Sequence, residues 1–448
     1  MKQTITLLFL LFFCLNSFTQ VKRTVHVETA GTLSTLIEAS AKYEITDLTL
    51  TGKLNGYDVA YLREMAGGYE KAPTEGKLEH LNMEEGVIVK GGSYQVYSGT
   101  YSTENMEVGE RMFAYLEKIK TISIPKSTKV IKRSAFFSCT GLESFTFPDN
   151  TFLLEHQAFE KCSSLQRVYI GKGLDFSGSL KFGNFNYCPQ LERFDVSEEN
   201  PYLKSADGVL YSKDGSKLYR YPNARGPVYE IPEGVELDRG AFQGCADLES
   251  VVISEGIEAL DWEVFNDCSG LKSVKLPESL LTMKGDVFRR CSSLTSIILP
   301  SKLTYIGAAF CGCIGIREIY SKNPTPPEAN FSCDFDQENC KVYVPVGSSS
   351  AYSKAEGWRN FFHIIETDFS GIADVSTDPE LKVYPNPASD VIRIEGEGIV
   401  ECILFDFSGK TVLKSATPEV NVSFLPSGIY HLLIKTVRGD FYKKMIKQ

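Results

Sequence analysis

The sequence predicts an α/β solenoid with a parallel sheet and short helical turns, followed by a small all-β, immunoglobulin-like sandwich. Three observations carry this expectation. A Phe-x-x-Cys-x-x-Leu register recurs at steps near 23 residues, two alternating apolar residues trail each recurrence, and from Leu381 the chain changes to short alternating runs divided by glycine turns. At 448 residues the chain is long for one compact domain, which already points to several domains or a repeat array.

The first twenty residues read as a signal peptide. Met1-Lys2 is followed by an apolar run from Leu7 to Phe13 that fades at Asn16-Ser17-Phe18-Thr19-Gln20, the charged, apolar and small-polar order of a secretory leader. The run is too short to span a bilayer. Cys14 raises the alternative of a lipid anchor, but the bulky Phe13 before it fits such a cleavage site poorly, so ordinary cleavage is expected near Thr19 or Gln20. No later stretch is long and apolar enough for a transmembrane segment. The formal net charge is -10, while the stretch from Leu381 carries 9 Lys and Arg against 7 Asp and Glu, so the acidity lies in the body. An acidic body repels phosphate backbones and argues against nucleic acid as a partner.

The repeat comes next. Phe136-Cys139-Leu142, Phe159-Cys162-Leu165, Phe185-Cys188-Leu191, Phe242-Cys245-Leu248, Phe265-Cys268-Leu271 and Phe288-Cys291-Leu294 share one register, and Phe310-Cys313-Ile316 keeps it with Ile in the last place. Pairs such as Phe145/Phe147, Val168/Ile170 and Ile297/Leu299 follow, the alternation of a short strand with one buried face. Phe and Cys three residues apart share one face of a helical turn. One such unit cannot bury enough apolar surface to offset its ordering entropy, so neighbours must stack and share faces.

A cysteine repeating in step can be a metal ligand, a disulfide partner, a nucleophile or a small apolar side chain. The unit Phe113-Leu116-Ile119 keeps the register with leucine where cysteine stands elsewhere, and leucine can do none of the chemistry. Packing is therefore the expected role. The competing reading is a disulfide between adjacent coils, which strand spacing and an oxidising compartment would permit; seven in-register cysteines, an odd number, speak against it. Cys333 and Cys340 lie outside the register and are the expected disulfide.

The step from Cys188 to Cys245 is 57 residues, 34 more than one period. Two Asp-Gly turns, at Asp207 and Asp214, among alternating apolar residues predict a β-hairpin insertion at about 200–227, carried on an extra coil and protruding from the stack.

The unit Ala-Phe-x-x-Cys-x-x-Leu-x-x-Val-x-Leu-Pro resembles the BspA-like class of leucine-rich repeats, found mostly on bacterial surface proteins. The resemblance covers residues 108–320. It implies an N-terminal cap at 21–107, with a helix around Leu33 to Ala39 and a first strand at Leu48-Thr49-Leu50. It also implies a C-terminal cap at 321–366, with a last strand at Val342 to Val344 and a helix ending near Trp358. Residues 367–380 read as a polar linker.

From 381 to 448 the alternating runs predict about seven strands. Tyr384-Pro385-Asn386-Pro387, Gly409-Lys410, Leu425-Pro426-Ser427-Gly428-Ile429-Tyr430 and the basic tail Lys443-Lys444 resemble, in order, the C-terminal sorting domain of type IX secretion substrates. The resemblance implies the type IX secretion machinery as a partner and a final location that is secreted or on the cell surface, outside the outer membrane. Members of that class usually lose this domain on export. Arg438-Gly439-Asp440 matches an integrin tripeptide, but it falls in a turn of the domain expected to be removed.

Catalytic and metal chemistry finds no footing in the sequence. The five histidines, at 26, 80, 156, 363 and 431, show no metal-ligand spacing, and no phosphate loop or nucleophile elbow is present. The acidic stretch 334–339 lacks the glycine and terminal glutamate of a calcium loop. No cofactor and no enzymatic activity are expected. What remains is a surface: residues between the inward ones of each strand line up in columns across the sheet. Arg167, Tyr169, Arg193 and Asp195, with Lys275, Ile298 and Tyr320 further along, are the candidate binding residues. They suit an extracellular or host protein, and the tyrosines make a glycan the alternative ligand; a structural surface-layer component is a further reading.

Overall fold

A computed structural model describes residues 20–68, 73–97, 99–176, 178, 183–331, 334–369, 381–406, 411–436 and 439–448. The first 19 residues of the expected signal peptide, residues 370–380 of the expected linker, Cys333, Gly409, Lys410 and Arg438 lie outside the described residues.

The repeats form the expected parallel stack. Strands Thr121–Ser123, Ser144–Phe147, Arg167–Ile170 and Arg193–Val196 pair in register, and Phe145, Phe147, Val168, Ile170 and Phe194 point inward because alternate residues of a strand face opposite sides. A second edge of the stack carries two-residue strands that the sequence pattern did not announce: Glu107–Val108, Val130–Ile131 and Leu153–Leu154 pair in parallel, as do Ala259–Leu260, Thr282–Met283, Tyr305–Ile306 and Glu328–Ala329.

The segment holding Phe and Cys is a tight turn and not an α-helical one. Cys139 N donates to Phe136 O at 3.2 Å, an i+3 bond. The residue before each cysteine is left-handed, with φ of 55° at Ser138, 64° at Lys161, 58° at Asp267 and 58° at Arg290. That twist turns its N–H along the stack axis, onto the next coil: Ser138 N reaches Glu160 O at 2.9 Å and Arg290 N reaches Cys311 O at 2.7 Å. Bonds that a helix would spend within itself here join neighbours. Gly244 and Gly312 take the same place at φ 76° and 72°, where glycine meets no Cβ penalty.

The phenylalanines form an aromatic spine. Ring centroids of Phe113, Phe136, Phe159 and Phe185 follow one another at 5.4, 4.7 and 5.3 Å, and Tyr221, Phe242, Phe265, Phe288, Phe310 and Phe331 continue at 4.9 to 6.2 Å, within the range of favourable aromatic pairs. Trp358 closes the spine edge-on against Phe331 and donates Nε1 to Pro327 O at 2.7 Å.

Cysteine lies beside this spine, and all seven in-register thiols are free and buried. They do more than fill space. Each reaches back to the carbonyl of the aromatic residue one coil earlier: Cys139 Sγ to Phe113 O at 3.0 Å, Cys162 to Phe136 at 3.2, Cys188 to Phe159 at 3.2, Cys268 to Phe242 at 3.1, Cys291 to Phe265 at 3.2 and Cys313 to Phe288 at 2.8. Cys245 is the weak member, 4.0 Å from Tyr221 O. A thiol is the smallest mostly apolar group that can still donate a bond.

The disulfide expected between Cys333 and Cys340 is corrected: Cys340 is a free, fully buried thiol, whereas Cys311, out of register, is disulfide-bonded. Cys340 faces inward beside strand Lys341–Pro345 and packs as a small apolar side chain.

The insertion is also corrected in form. It contains three strands, Leu203–Ala206, Val209–Ser212 and Lys217–Arg220, and it does not protrude; Leu203, Val209, Leu210 and Leu218 are fully buried. Phe194 N donates to Gly208 O at 2.9 Å, so the first Asp-Gly turn caps the edge of the preceding sheet, while Lys217–Arg220 pairs in parallel with Glu236–Leu237. Apolar residues left over by the strand alternation had to find a core, and they intercalate. The insertion divides the apolar interior into two clusters. At the boundary Arg220, 3 % exposed, gives Nη1 to Asn186 Oδ1 and Gly240 O and Nη2 to Phe185 O, Asn223 Oδ1 and Gln243 O at 2.7 to 3.0 Å. It supplies Phe185 O with the donor that a thiol supplies elsewhere, because Ala224 stands where the extra coil would hold cysteine.

The caps are richer than expected. The first strand is Lys22–Val27, the strand foreseen at Leu48 extends over Asp47–Leu54, and the helix foreseen at Leu33 shortens to Leu33–Leu36. A longer helix, Gly56–Met65, follows, with Asn55 and Asp58 forming its capping box. Buried Asp58 also accepts from Gly31 N at 2.6 Å and Leu33 N at 2.9 Å, tying both helices together. At the far end Lys341–Pro345 is followed by helix Ser349–Tyr352 and a further strand, His363–Thr367. Beyond the linker, seven described strands form antiparallel sheets of three and four strands around their own apolar cluster.

Candidate functional site

The first group of candidate residues is assembled by strand register. Arg167 lies opposite Arg193 and Tyr169 opposite Asp195, on neighbouring parallel strands, all on the outward side. Two guanidiniums one strand spacing apart repel; Asp195, two residues along from Arg193 and therefore on the same face, takes the Arg193 guanidinium in an ion pair and relieves this. Tyr169 is 45 % exposed, a large aromatic surface beside two cations. Gly208 abuts this patch: a Cβ there would come within 2.8 Å of Arg193 Cβ, so the hairpin turn lies directly against the arginine stem.

Ile298 and Tyr320 form a second, separate group. Their strands, Ser296–Leu299 and Glu318–Ser321, pair in register, and Lys341–Pro345 adds Tyr343 beside Tyr320. The two tyrosine rings stack at 4.6 Å with planes 7° apart, and both hydroxyls point to Glu318, at 2.8 Å from Tyr320 and 3.4 Å from Tyr343. Burial, then the bond to the Glu318 carboxylate, raises the Tyr320 pKa and keeps its phenol neutral. Tyr343 was missing from the sequence-based set; continuing the Tyr320 column one strand further would have found it.

Lys275 belongs to neither group. Its strand, Ser273–Lys275, pairs with Ser250–Ile253, but no ladder joins it to Ser296–Leu299. In the serine column Ser273 Oγ donates to Ser250 Oγ at 2.9 Å, and Ser250 is buried, so those hydroxyls satisfy each other. Lys275 instead lines a cleft of about 650 Å³ between the hairpin and the sheet that follows it. Asp207, Tyr211, Arg225, Tyr229 and Glu230 also line it, and none of the five was among the candidate binding residues read from sequence. The Tyr211 and Tyr229 hydroxyls meet at 2.5 Å, and Arg225 lies over the Tyr221 and Tyr229 rings at 5.8 and 5.3 Å from their centroids. They converge only because residues from the insertion and the next coil fold onto one another.

Of the histidines, His26 bonds Thr51 and Glu28 and His80 bonds Thr121, at the surface of the N-terminal sheet. Among the described residues no group of three or more His, Cys, Asp or Glu could hold a metal ion, and no described helix is long and apolar enough to cross a membrane. In the acidic stretch 334–339, Asp336 accepts from Asn339 N and Nδ2 at 3.2 and 3.0 Å, closing a local turn.

The sorting-motif residues come together across the C-terminal sheets. Asn386 Oδ1 accepts from Ile446 N at 2.8 Å, and Ala388 exchanges backbone bonds with Ile446 and Gln448, so the Tyr384-Pro385-Asn386-Pro387 block is tied to the last strand, Gly439–Lys447, which carries Lys443 and Lys444. Tyr430, buried, donates its hydroxyl to Pro426 O at 2.9 Å, which fixes the Leu-Pro-Ser-Gly turn that holds Gly428.

The architecture defines a parallel-sheet repeat solenoid joined to a small antiparallel domain. Comparison with known proteins specifies both parts. Residues 97–206 and 229–327 match the BspA type leucine rich repeat region in six copies, and residues 382–448 match the secretion system C-terminal sorting domain. The chain thus carries BspA-type leucine-rich repeats and a C-terminal sorting domain, and it is a leucine-rich-repeat surface protein exported by type IX secretion, secreted or held at the cell surface. Among solved structures it is similar to the pneumococcal vaccine antigen PcpA, 20 % identical, with 72 % of this chain and 80 % of that one covered at a TM-score of 0.45. A leucine rich cell surface protein from Faecalibacterium prausnitzii is 18 % identical over 78 % of this chain and 83 % of its own, TM-score 0.40, and a leucine-rich repeat protein from Bacteroides ovatus is 20 % identical over 72 % and 84 %, TM-score 0.36. A curated relative, beta-agarase D of Zobellia galactanivorans, is 32 % identical over 108 residues, 24 % of this chain; the chain spans about a fifth, 22 %, of that relative's length.

Proposed function

We propose that this protein is a non-enzymatic recognition protein that binds an extracellular or host protein through the outward face of its main sheet. The observation that carries the reading is the in-register block of Arg167, Tyr169, Arg193 and Asp195 on adjoining strands, held against the hairpin turn. Arginine and tyrosine on a rigid scaffold bind at low entropic cost and are enriched in interface hot spots. The short likeness to a protein named as an agarase does not alter this reading, because it covers 24 % of the chain.

A glycan ligand is the second reading, and the stacked Tyr320 and Tyr343 pair favours it, since a flat double ring suits the apolar face of a sugar. The test is capture by the full chain: immobilised protein is exposed to purified extracellular-matrix proteins and, in parallel, to a glycan array. Charge reversal of the arginine pair, Arg167→Glu with Arg193→Glu, should lower protein capture at least tenfold while thermal unfolding stays unchanged. Unaltered protein capture by that variant removes the proposed face. Binding only to the array, lost in Tyr320→Ala, selects the glycan reading, and self-association without a foreign ligand selects a structural surface-layer component.

A further inference from the structure

The cleft beneath the insertion combines features that the recognition face does not use. Its floor is Arg225, only 7 % exposed. A guanidinium so far from water requires compensation. Arg225 is compensated by neutral groups alone: Nε donates to Asp207 O at 2.9 Å, the guanidinium hydrogen-bonds the Tyr221 hydroxyl, and its plane lies over two tyrosine rings. Among the described residues no carboxylate forms an ion pair with it. The walls are mainly of the opposite sign, with half-buried Lys275 the one further cation among the lining residues. Asp207, Glu230 and Glu233 line the cleft and are exposed, and neither Asp207 nor Glu233 has an ion-pair partner among the described residues. A fourth carboxylate, Glu255, is already held by the backbone N–H groups of Glu278 and Ser279 at 3.0 and 3.1 Å. The cleft therefore presents one buried cation lacking a counter-charge below a rim of carboxylates, in a volume of about 650 Å³, within the usual span of ligand sites.

A ligand complementary to this pattern bears a single carboxylate to meet Arg225 and positive charge nearby to meet the rim. A polyanionic chain fits badly, since beyond Arg225 the lining offers one further cation, Lys275, against the carboxylates of Asp207, Glu230, Glu233 and Glu255. We infer that the cleft binds the C-terminal end of a basic peptide: the α-carboxylate pairs with the Arg225 guanidinium, and lysine or arginine side chains of the last residues pair with Asp207 and Glu233. The flanking Tyr211 and Tyr229 rings pack against the peptide's aliphatic stems. The inference rests on the reading of this chain as a protein-recognition molecule and specifies a partner chemistry for it.

The experiment uses the full chain and the N-terminally fluorescein-labelled peptide Ala-Lys-Ala-Lys, prepared with a free C-terminal carboxylate and as its amide, in fluorescence anisotropy titrations. The free acid should bind roughly ten- to a hundredfold tighter than the amide, the range of a hydrogen bond to a charged group. Arg225→Gln should erase that preference, and Glu233→Lys should weaken the free acid at least threefold. The acid-against-amide comparison alters no residue of the protein, so it decides the question even if a variant unfolds. Equal binding of acid and amide, or no binding of either up to millimolar concentration, overturns the inference, and so does displacement of the peptide by oligogalacturonate at lower concentration than unlabelled peptide. Failure here is distinguishable from failure of the recognition face, because peptide binding requires neither Arg167 nor Arg193.

Discussion

Removing single thiols from the spine tests whether cysteine is there only to fill space or also to donate. Cys268 and Cys245 are both fully buried and belong to the same apolar cluster, so their replacement by alanine removes the same atoms from the same body. The two thiols touch each other and differ in their bond to the preceding coil: Cys268 Sγ lies 3.1 Å from Phe242 O, and Cys245 Sγ lies 4.0 Å from Tyr221 O. In either case the lost transfer of the sulfur is about 1 kcal/mol. A residual void of roughly 20 Å³ adds about 0.5 kcal/mol. The thiol bond, weaker than an amide bond, adds about 0.5 to 1 kcal/mol at Cys268 and almost nothing at Cys245. Cys268→Ala should therefore cost about 2 kcal/mol and Cys245→Ala about 1.5 kcal/mol. Urea denaturation followed by far-ultraviolet circular dichroism measures the two midpoints. If Cys245→Ala proves as costly as Cys268→Ala, or costlier, the donor role of the thiols is wrong and only packing remains.

Three further predictions follow from the same geometry. The nine free thiols should resist a disulfide-exchange reagent at pH 8 in the native protein, since burial pushes Cys139 and Cys313 up to about 12, and at least nine should react in denaturant; fewer than seven would mean disulfides between coils. Arg220→Met leaves Phe185 O and Gln243 O without their donor, so it should cost at least about 3 kcal/mol and split thermal unfolding into two steps, one for each core cluster; a single unshifted transition would contradict the role given to Arg220. Burial raises the Glu278 pKa, but its bonds to Lys322 Nζ at 2.9 Å and to Ser301 N at 3.2 Å outweigh that and hold the carboxyl below its ordinary value. The folded pKa being the lower one, the stabilisation is complete above the unfolded carboxyl range and is lost as pH falls through the folded value. Glu278→Gln should thus be less stable than the parent at pH 7, with the gap closing below about pH 4; a gap independent of pH would rule out the ionic contribution.

The extent to which this molecule was legible in its sequence differs from element to element. Phe136, Cys139 and Leu142 recur because each coil must offer the same faces to the next, and so the stack, its register and the outward columns could be read directly. The register also brought Arg167 to Arg193 and Tyr169 to Asp195, as strand alternation requires. The second ladder of two-residue strands, by contrast, leaves too short a pattern to detect, and helix Gly56–Met65 opens with Asn55, a cap that serves turns equally well.

Sequence by itself determined the repetition, the free state of the in-register thiols, and the order of solenoid and sorting domain, because these depend on spacing along one chain. Tertiary structure alone decided that the insertion would intercalate, that Arg220 would stand in for a missing thiol, that Cys340 would remain unpaired, and that Arg225, Asp207 and Glu233 would meet around one cleft. Those outcomes depend on distances between residues of different coils, which are set by packing and by where buried polar groups find partners, and no local pattern encodes them.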